Sequence, residues 1–428
     1  MSRATERFED KREVILDGAA RLFNEHGIRG GMLSELAQRV GLATNSLTYY
    51  HRRKPDLASA CLLRSMDVQG AIADRAAREA TLGQRVRAFF AGHARLLTDI
   101  AEGRHPELIV FSEVLSLPEP HRATVSAAYT QMFRRVRALL DGAGMPALTA
   151  PQRNARAHLL LSTVSWLRTC LKRYESTDYA RVAAQVAELV LGGIAAPGHA
   201  VAAAFDAVAA AAAIAAAVGD DGGDTRAAYL RAATRLVNRH GYRGASVDRI
   251  AAELRLTKGS FYHHHETKEE LIAACFERTF AVVRAAQGIA LDASGSGLDR
   301  LAFACRALLA HQMSAHGPLL RITAWMGLPA ALRDDARRTM GRVGERFAAL
   351  VIDGMSDGSL RIVDPSVAAQ VVNGLVNAAA ELERWVPGAD AGNAFALYAA
   401  PLFTGIDDVP RARPSARSAR AATRATAS

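Results

Sequence analysis

Apolar positions fall on helical spacing along most of the chain, and the clearest stretch lies just past the midpoint. Between 226 and 240, Ala228, Leu230, Ala233, Leu236 and Val237 form one stripe, which predicts an amphipathic helix. Gly241 is expected to end it. Ser246 follows where an N-cap belongs, with Asp248 in the first turn and Val247, Ile250, Ala251 and Leu254 as the apolar face of a short second helix. After a tight turn at Arg255–Leu256, Thr257 can cap a third helix, 258–264, and a fourth runs from Lys268 through Leu271, Ile272, Cys275 and Phe276. A supporting helix followed by two short helices across a tight turn is a helix-turn-helix. Its last helix can enter the DNA major groove.

The same pattern stands 214 residues earlier. RLFNEHGIRG at 21–30 becomes RLVNRHGYRG at 235–244, and the correspondence runs ungapped for about forty residues. Asn24, His26, Gly27, Ser46, His51, Lys54, Leu57 and Cys61 recur as Asn238, His240, Gly241, Ser260, His265, Lys268, Leu271 and Cys275. Weaker echoes follow, with Asp141–Gly142 facing Asp353–Gly354 and Pro151 facing Pro365, each proline opening a long helical pattern. The chain therefore reads as two complete copies of one helical unit. The expected organisation is a helix-turn-helix domain at 1–55, a helical regulatory domain at 56–195 and an Ala/Gly-rich linker at 196–224. A second helix-turn-helix domain at 225–269 and a second regulatory domain at 270–408 follow, and 409–428 is an Arg-rich tail without apolar periodicity, expected to be disordered. In the linker, the alanine run suggests a free-standing helix and Gly219–Asp224 a flexible break.

Charge sharpens this picture. The chain has 428 residues and a net charge of +10. Ten Lys/Arg against seven Asp/Glu fall in 1–54, nine against five in 225–270, and five arginines with no acid in 411–428. Basic charge thus collects on the two helix-turn-helix segments and the tail, which suits a polyanionic partner. The four cysteines (Cys61, Cys170, Cys275 and Cys305) make no C-x-x-C pair and read as buried thiols. The run 201–218 is interrupted by Asp206 and is too weakly hydrophobic for a membrane span. His263–His265 are consecutive and cannot share a helix face, so a metal site is not expected there. No nucleotide-binding glycine loop, nucleophile elbow or H-E-x-x-H occurs, so neither an enzyme nor a cofactor is expected.

The string Ser246–Ala251, then Thr257–His264, then Lys268–Leu271 resembles the tetracycline-repressor (TetR) family of bacterial regulators. So does Leu33–Ala37, then Gly41–His51, then Lys54–Leu57. The resemblance implies an all-α fold of two tandem units. Each has a three-helix DNA-binding domain and a larger helical domain for ligand binding and dimerisation. It also implies repression relieved by a small-molecule effector, in a cytoplasmic protein. On these motifs the candidate DNA contacts are Thr44, Asn45, Ser46, Thr48, Tyr49, Tyr50 and Lys54 in the first copy. In the second they are Ser246, Thr257, Lys258, Gly259, Ser260, Tyr262, His263 and Lys268. Lys268 is placed to meet a phosphate together with helix amides. Tyr129, Phe133, Trp166, Phe303, Trp325 and Trp385 are candidate ligand contacts, competing with plain core roles.

Departures from the family pattern matter. Asn45 stands at the Gly259 position and Thr48 at the Tyr262 position. Met32 replaces the Ser246 cap, which weakens its helix by about 1 kcal/mol. Arg255 replaces the turn glycine (Gly41), and is strained by roughly 1 kcal/mol if φ is positive there. The two copies are therefore expected to read different half-sites of a double-stranded DNA operator. The helices near 151–172 and 178–193 are expected to pair with those near 365–386 and 391–405 in an intramolecular pseudo-dimer, with a homodimer as the other arrangement open. The alternative is that one copy reads DNA and the other is an interaction or ligand-sensing module.

Overall fold

In a computed structural model, the described residues are 3–406 apart from 112–113, 143–146, 203–204, 221–224, 256–266 and 326–327. Among them the structure is all-α, with one isolated antiparallel bridge between Ala195 and Leu360. The first unit comprises α1 (Arg3–Gly30), α2 (Leu33–Arg39), α3 (Thr44–Tyr50), α4 (Lys54–Ala76), α5 (Leu82–Ala101), α6 (His121–Ala138), α7 (Ala150–Cys170) and α8 (Tyr179–Gly192). After α9 (Ala207–Ala217), the second unit has α10 (Thr225–Gly244), α11 (Val247–Glu253), α12 (Lys268–Asp292), α13 (Gly297–Gln312), α14 (Ala330–Ser356), α15 (Pro365–Ala378) and α16 (Leu382–Trp385). A π-helical segment, Phe395–Ala399, then leads into α17 (Ala400–Thr404).

Local chemistry repeats at the same offset. Gly27 and Gly241 interrupt α1 and α10 with φ of 71° and 70°, a conformation open to glycine at little cost. Reciprocal capping boxes open the longer helices at Thr81–Gln84, Thr149–Gln152, Thr267–Glu270 and Ser296–Asp299. Pro151 and Pro365 sit in the first turns of α7 and α15, where a missing N–H costs nothing. Cys61 and Cys275 are buried, and each thiol donates to the equivalent carbonyl, Leu16 at 3.7 Å and Leu230 at 3.6 Å. Burial pushes both thiols up to about 12, so they are packing groups.

The units meet along their last long helices. α7 packs on α15, on α16 and on the Phe395–Ala399 segment, while α8 packs on α15 and α17. Trp166 lies flat over Gly374, where a Cβ would stand 2.7 Å from the indole, and its Nε1 donates to Gln370 Oε1 at 3.3 Å. His158 Nε2 donates to the Ala378 carbonyl at 3.1 Å, and buried Arg156 donates to the Ile406 carbonyl at 2.7 Å. Phe133 stacks on Trp385 with ring centres 4.6 Å apart. The helix-turn-helix supports also touch, α1 against α10.

The linker departs from expectation. Its helix α9 is not free-standing: Ala210, Ala211, Ile214 and Ala215 are buried, and it packs on α13 and α12. In the first unit, α8 covers α5; in the second, α9 lies along the equivalent helix, α13. Asp206 caps α9, Phe205 meets Phe303 edge-on at 5.6 Å, and Asp220 is buried between Arg231 and Arg278. The first unit carries its acids on α1 instead, at Glu13 and Asp17. The matching positions in α10 are Ala227 and Arg231, so the linker supplies the missing carboxylate. Residues 409–428, the Arg-rich tail, lie outside the described residues.

Candidate functional site

The α3 helix is built from a short apolar signal. Leu36 and Ala37 bury α2, Gly41 turns the chain with φ of +66°, and Leu47 alone anchors α3. One buried residue in seven leaves the rest of α3 for solvent. Thr44, Asn45, Ser46 and Thr48 are exposed, and Tyr49 is 77% exposed. Tyr50 is half-buried and stacks on Phe8 with ring centres 4.8 Å apart; Tyr49 meets both rings edge-on. The α1 helix thus braces α3 from behind through Phe8, while amide, hydroxyl and phenol groups face outward. Those groups can read base edges and bind phosphate oxygens.

Lys54, a candidate DNA contact, sits at the end of the supporting helix. Its ammonium donates to the Arg29 carbonyl at 2.8 Å and the Gly31 carbonyl at 3.1 Å, closing the C-terminal end of α1. Lys268 sits 4.3 Å over the Tyr242 ring, a cation–π contact, with Thr267 capping the helix it opens. The exposed basic residues beside α3 are Arg52 and Arg53, which the motif-based selection passed over. Their signal was a basic pair in the turn between two helices.

In the second unit, Ser246 caps α11, accepting from Arg249 N at 3.3 Å, while Met32 at the equivalent place supplies no side-chain bond. Arg255 takes φ of +56°, the sole positive value at a non-glycine among the described residues. Thr257, Lys258, Gly259, Ser260, Tyr262 and His263 lie outside the described residues.

A cavity of about 150 Å³ lies inside the first unit and is walled partly by the second. Leu96, Leu97, Ile100, Ile109 and Phe111 make it largely apolar. Tyr129 and Trp166 line it too, and Gly374, Asn377 and Ala378 of α15 close it. Its polar lining includes the Arg321–Glu381 ion pair and Arg168, which pairs with Glu107 behind the wall. His93 also lines it. Burial pulls this imidazole down to about 4, so it is neutral at pH 7. Its Nδ1 lies 2.9 Å from the Phe89 carbonyl, which can only accept, so the proton sits on Nδ1. Nε2 is then a buried acceptor with no partner among the described residues. Phe133 and Trp385 belong to the unit–unit stack, and Phe303 lies under the linker. The Trp325 side chain lies outside the described residues.

The cavity wall is tied to both helix-turn-helix domains. Asn24 of α1 donates to the Leu108 carbonyl at 3.0 Å and accepts from Val110 N at 2.9 Å. Asn238 of α10 repeats this on the Leu319 carbonyl and Arg321 N, both at 2.9 Å. Leu108, Val110 and Arg321 all line the cavity.

Comparison with known proteins fits this architecture. The family model for bacterial regulatory proteins of the tetR family matches twice, at 15–61 and 230–275. The HTH-type transcriptional repressor SCO4008 of Streptomyces coelicolor is 32% identical over 145 residues, which is 33% of this chain and 70% of the relative. The chain belongs to the tetR family. The Transposon Tn10 TetC protein of Escherichia coli matches over 56 residues at 34% identity, 13% of this chain and 28% of that protein. A solved TetR-family regulator, PfmR from Thermus thermophilus, is 20% identical and aligns over 41% of this chain and 92% of its own, with a TM-score of 0.33. This TetR-family chain is a helix-turn-helix transcription regulator with its DNA-binding motif duplicated. No helix among the described residues is long and apolar enough to cross a membrane.

Proposed function

We propose that the chain is a repressor working as a pseudo-dimer within one molecule, with one effector site governing both DNA-reading heads. The domain limits fit this reading at 1–55, 56–195, 225–269 and 270–408, with 196–224 serving as a docked strap. The observation that carries it is the pair of asparagine clasps. Asn24 and Asn238 hold the two supporting helices to two loops, and both loops form the wall of a single cavity. A ligand that presses these loops outward shifts both clasps, and so changes the separation of the heads. Such heads must stand about one DNA turn, ~34 Å, apart to read adjacent major grooves. A ligand acts only through its different affinity for the two arrangements.

The reading surface proposed for the first head is Thr44, Asn45, Ser46, Thr48 and Tyr49, flanked by Arg52 and Arg53. For the second head it is Thr257, Lys258, Gly259, Ser260, Tyr262 and His263. Because the two sets differ, the operator is asymmetric. Footprinting on the DNA beside the gene, with the chain's mass measured in solution, tests this. One chain protecting two unlike half-sites is expected. A dimer of chains protecting four would rule the arrangement out. Tyr49→Ala should weaken operator binding by about 1–3 kcal/mol, as expected for loss of a reading contact; unchanged affinity would remove α3 from the interface.

A further inference from the structure

Between the two helix-turn-helix domains lies a second, more open cleft of about 430 Å³ that the effector reading does not use. The first unit contributes Ile28, Arg29, Lys54, Pro55, Leu115–Pro118 and Arg122; the second contributes His240 and Arg249. No acidic residue lines it. Arg122 is ion-paired with Glu119 just outside, and Lys54 is spent on the end of α1. Arg29 and Arg249 are exposed, and the Arg29 guanidinium carbon lies 3.6 Å from where a Gly244 Cβ would stand, across the unit boundary. Burial first, then Arg249, Arg29, Arg239 and Arg122, hold the His240 imidazole below its ordinary value. The two heads therefore meet through like charges. Such an arrangement repels unless an anion sits between them.

We propose that this cleft binds a diffusible phosphate-bearing anion, which bridges Arg29 of the first unit to His240 and Arg249 of the second and holds the heads together. Guanidinium pairs suit the forked oxygens of phosphate. A DNA backbone is the less fitting source. No residue of α3 lines the cleft, which is walled instead by the Leu115–Pro118 segment of the regulatory body and by the ends of the supporting helices. Held close, the heads have a fixed spacing, so occupancy sets DNA affinity independently of the cavity in the first unit.

The test uses the full chain without DNA and inorganic pyrophosphate as the probe, titrated calorimetrically against chloride of matched ionic strength. Saturable binding is expected, together with a rise in melting temperature beyond the chloride control. The double variant Arg29→Gln/Arg249→Gln should lose at least about tenfold in pyrophosphate affinity while its melting temperature without the anion holds or rises. Pyrophosphate acting no better than chloride, or binding the variant equally well, overturns the proposal. It is likewise overturned if only binding to a mixed-sequence duplex falls in the variant, because the cleft then serves DNA phosphates. The failure of repression itself would be read separately, by footprinting.

Discussion

The two units descend from one pattern yet fasten the same loop differently. In the second unit, the loop after α13 is tied to its own core. Leu319 N donates to Gln312 Oε1 at 2.6 Å, Leu320 N to Thr279 Oγ1 at 3.0 Å, and Ile322 N to Asn377 Oδ1 at 2.8 Å. Gln287, fully buried, adds a bond to the Val343 carbonyl at 3.0 Å. In the first unit, the residue matching Thr279 is Ser65, buried with its hydroxyl unpartnered among the described residues. There the loop after α5 leans on Asn24, on Arg64 to the Glu107 carbonyl at 2.6 Å, and on Asp17 to Glu107 N at 2.5 Å. Those bonds lead to α1 or α4, the Glu107 carboxylate also pairs with Arg168 of α7, and behind the loop is the cavity. Duplication lets the two copies fasten the same loop differently, the first beside the cavity and the second into its own core. In a symmetric dimer, both copies would have to fasten it alike.

The largest effect on the second unit is expected from Asp220→Ala. It leaves Arg231 and Arg278 buried without their carboxylate, which costs about 3–5 kcal/mol. Chemical denaturation followed by tryptophan fluorescence should then show the second unit melting ahead of the first; a single unshifted transition would deny the linker its structural role. Burial alone would raise this carboxyl, but its bonds to Arg231 and Arg278 outweigh that and hold it below the ordinary aspartate value. A lowered carboxyl stabilises above its unfolded value and loses that contribution as pH falls through the folded one. The gap between native chain and variant should therefore be full at neutral pH and close below about pH 4.

Next in size are the clasps. Asn24→Ala and Asn238→Ala each strand a loop carbonyl and amide, at about 1–3 kcal/mol. Their functional effects should differ. Asn238→Ala leaves the second loop on Thr279, Gln312 and Asn377, whereas Asn24→Ala leaves the wall of the cavity tied to α1 through Asp17. Under the proposed function, release of DNA by an effector, measured by fluorescence anisotropy, should be blunted far more by Asn24→Ala. Equal losses would mean the two units sense the ligand alike.

Much of this was legible along the chain, because helix period, caps and turn residues act locally. Leu47 against exposed neighbours, Ser246 as a cap, Met32 as a missing one and the positive φ of Arg255 all follow from short-range rules. What could not be read depends on partners distant in sequence. An alanine run has almost no apolar asymmetry, so nothing along it says which face of α9 is covered; Ile214 and the flanking Asp206 were the faint signals. Nothing along the chain says that the end of α1 lies beneath the Lys54 ammonium. A cavity shared between units has no linear signature, since His93, Trp166, Arg321 and Asn377 come from four separate stretches.

The smallest test concerns the turn between α2 and α3 and its second-unit counterpart, where Gly41 and Arg255 face each other across the repeat with φ of +66° and +56°. An L-residue there is strained by about 1–2 kcal/mol, while glycine adds unfolded-state freedom worth about 0.5–1 kcal/mol. Arg255→Gly should therefore stabilise the second head slightly, by under about 1.5 kcal/mol, and Gly41→Arg should weaken the first by a similar amount. Opposite signs for the two swaps, read as local amide exchange in α11 and α2, would tie the difference to backbone strain. If both swaps destabilise, the Arg255 side chain makes contacts that outweigh its strained backbone, and the second head has been refitted around arginine rather than merely tolerating it.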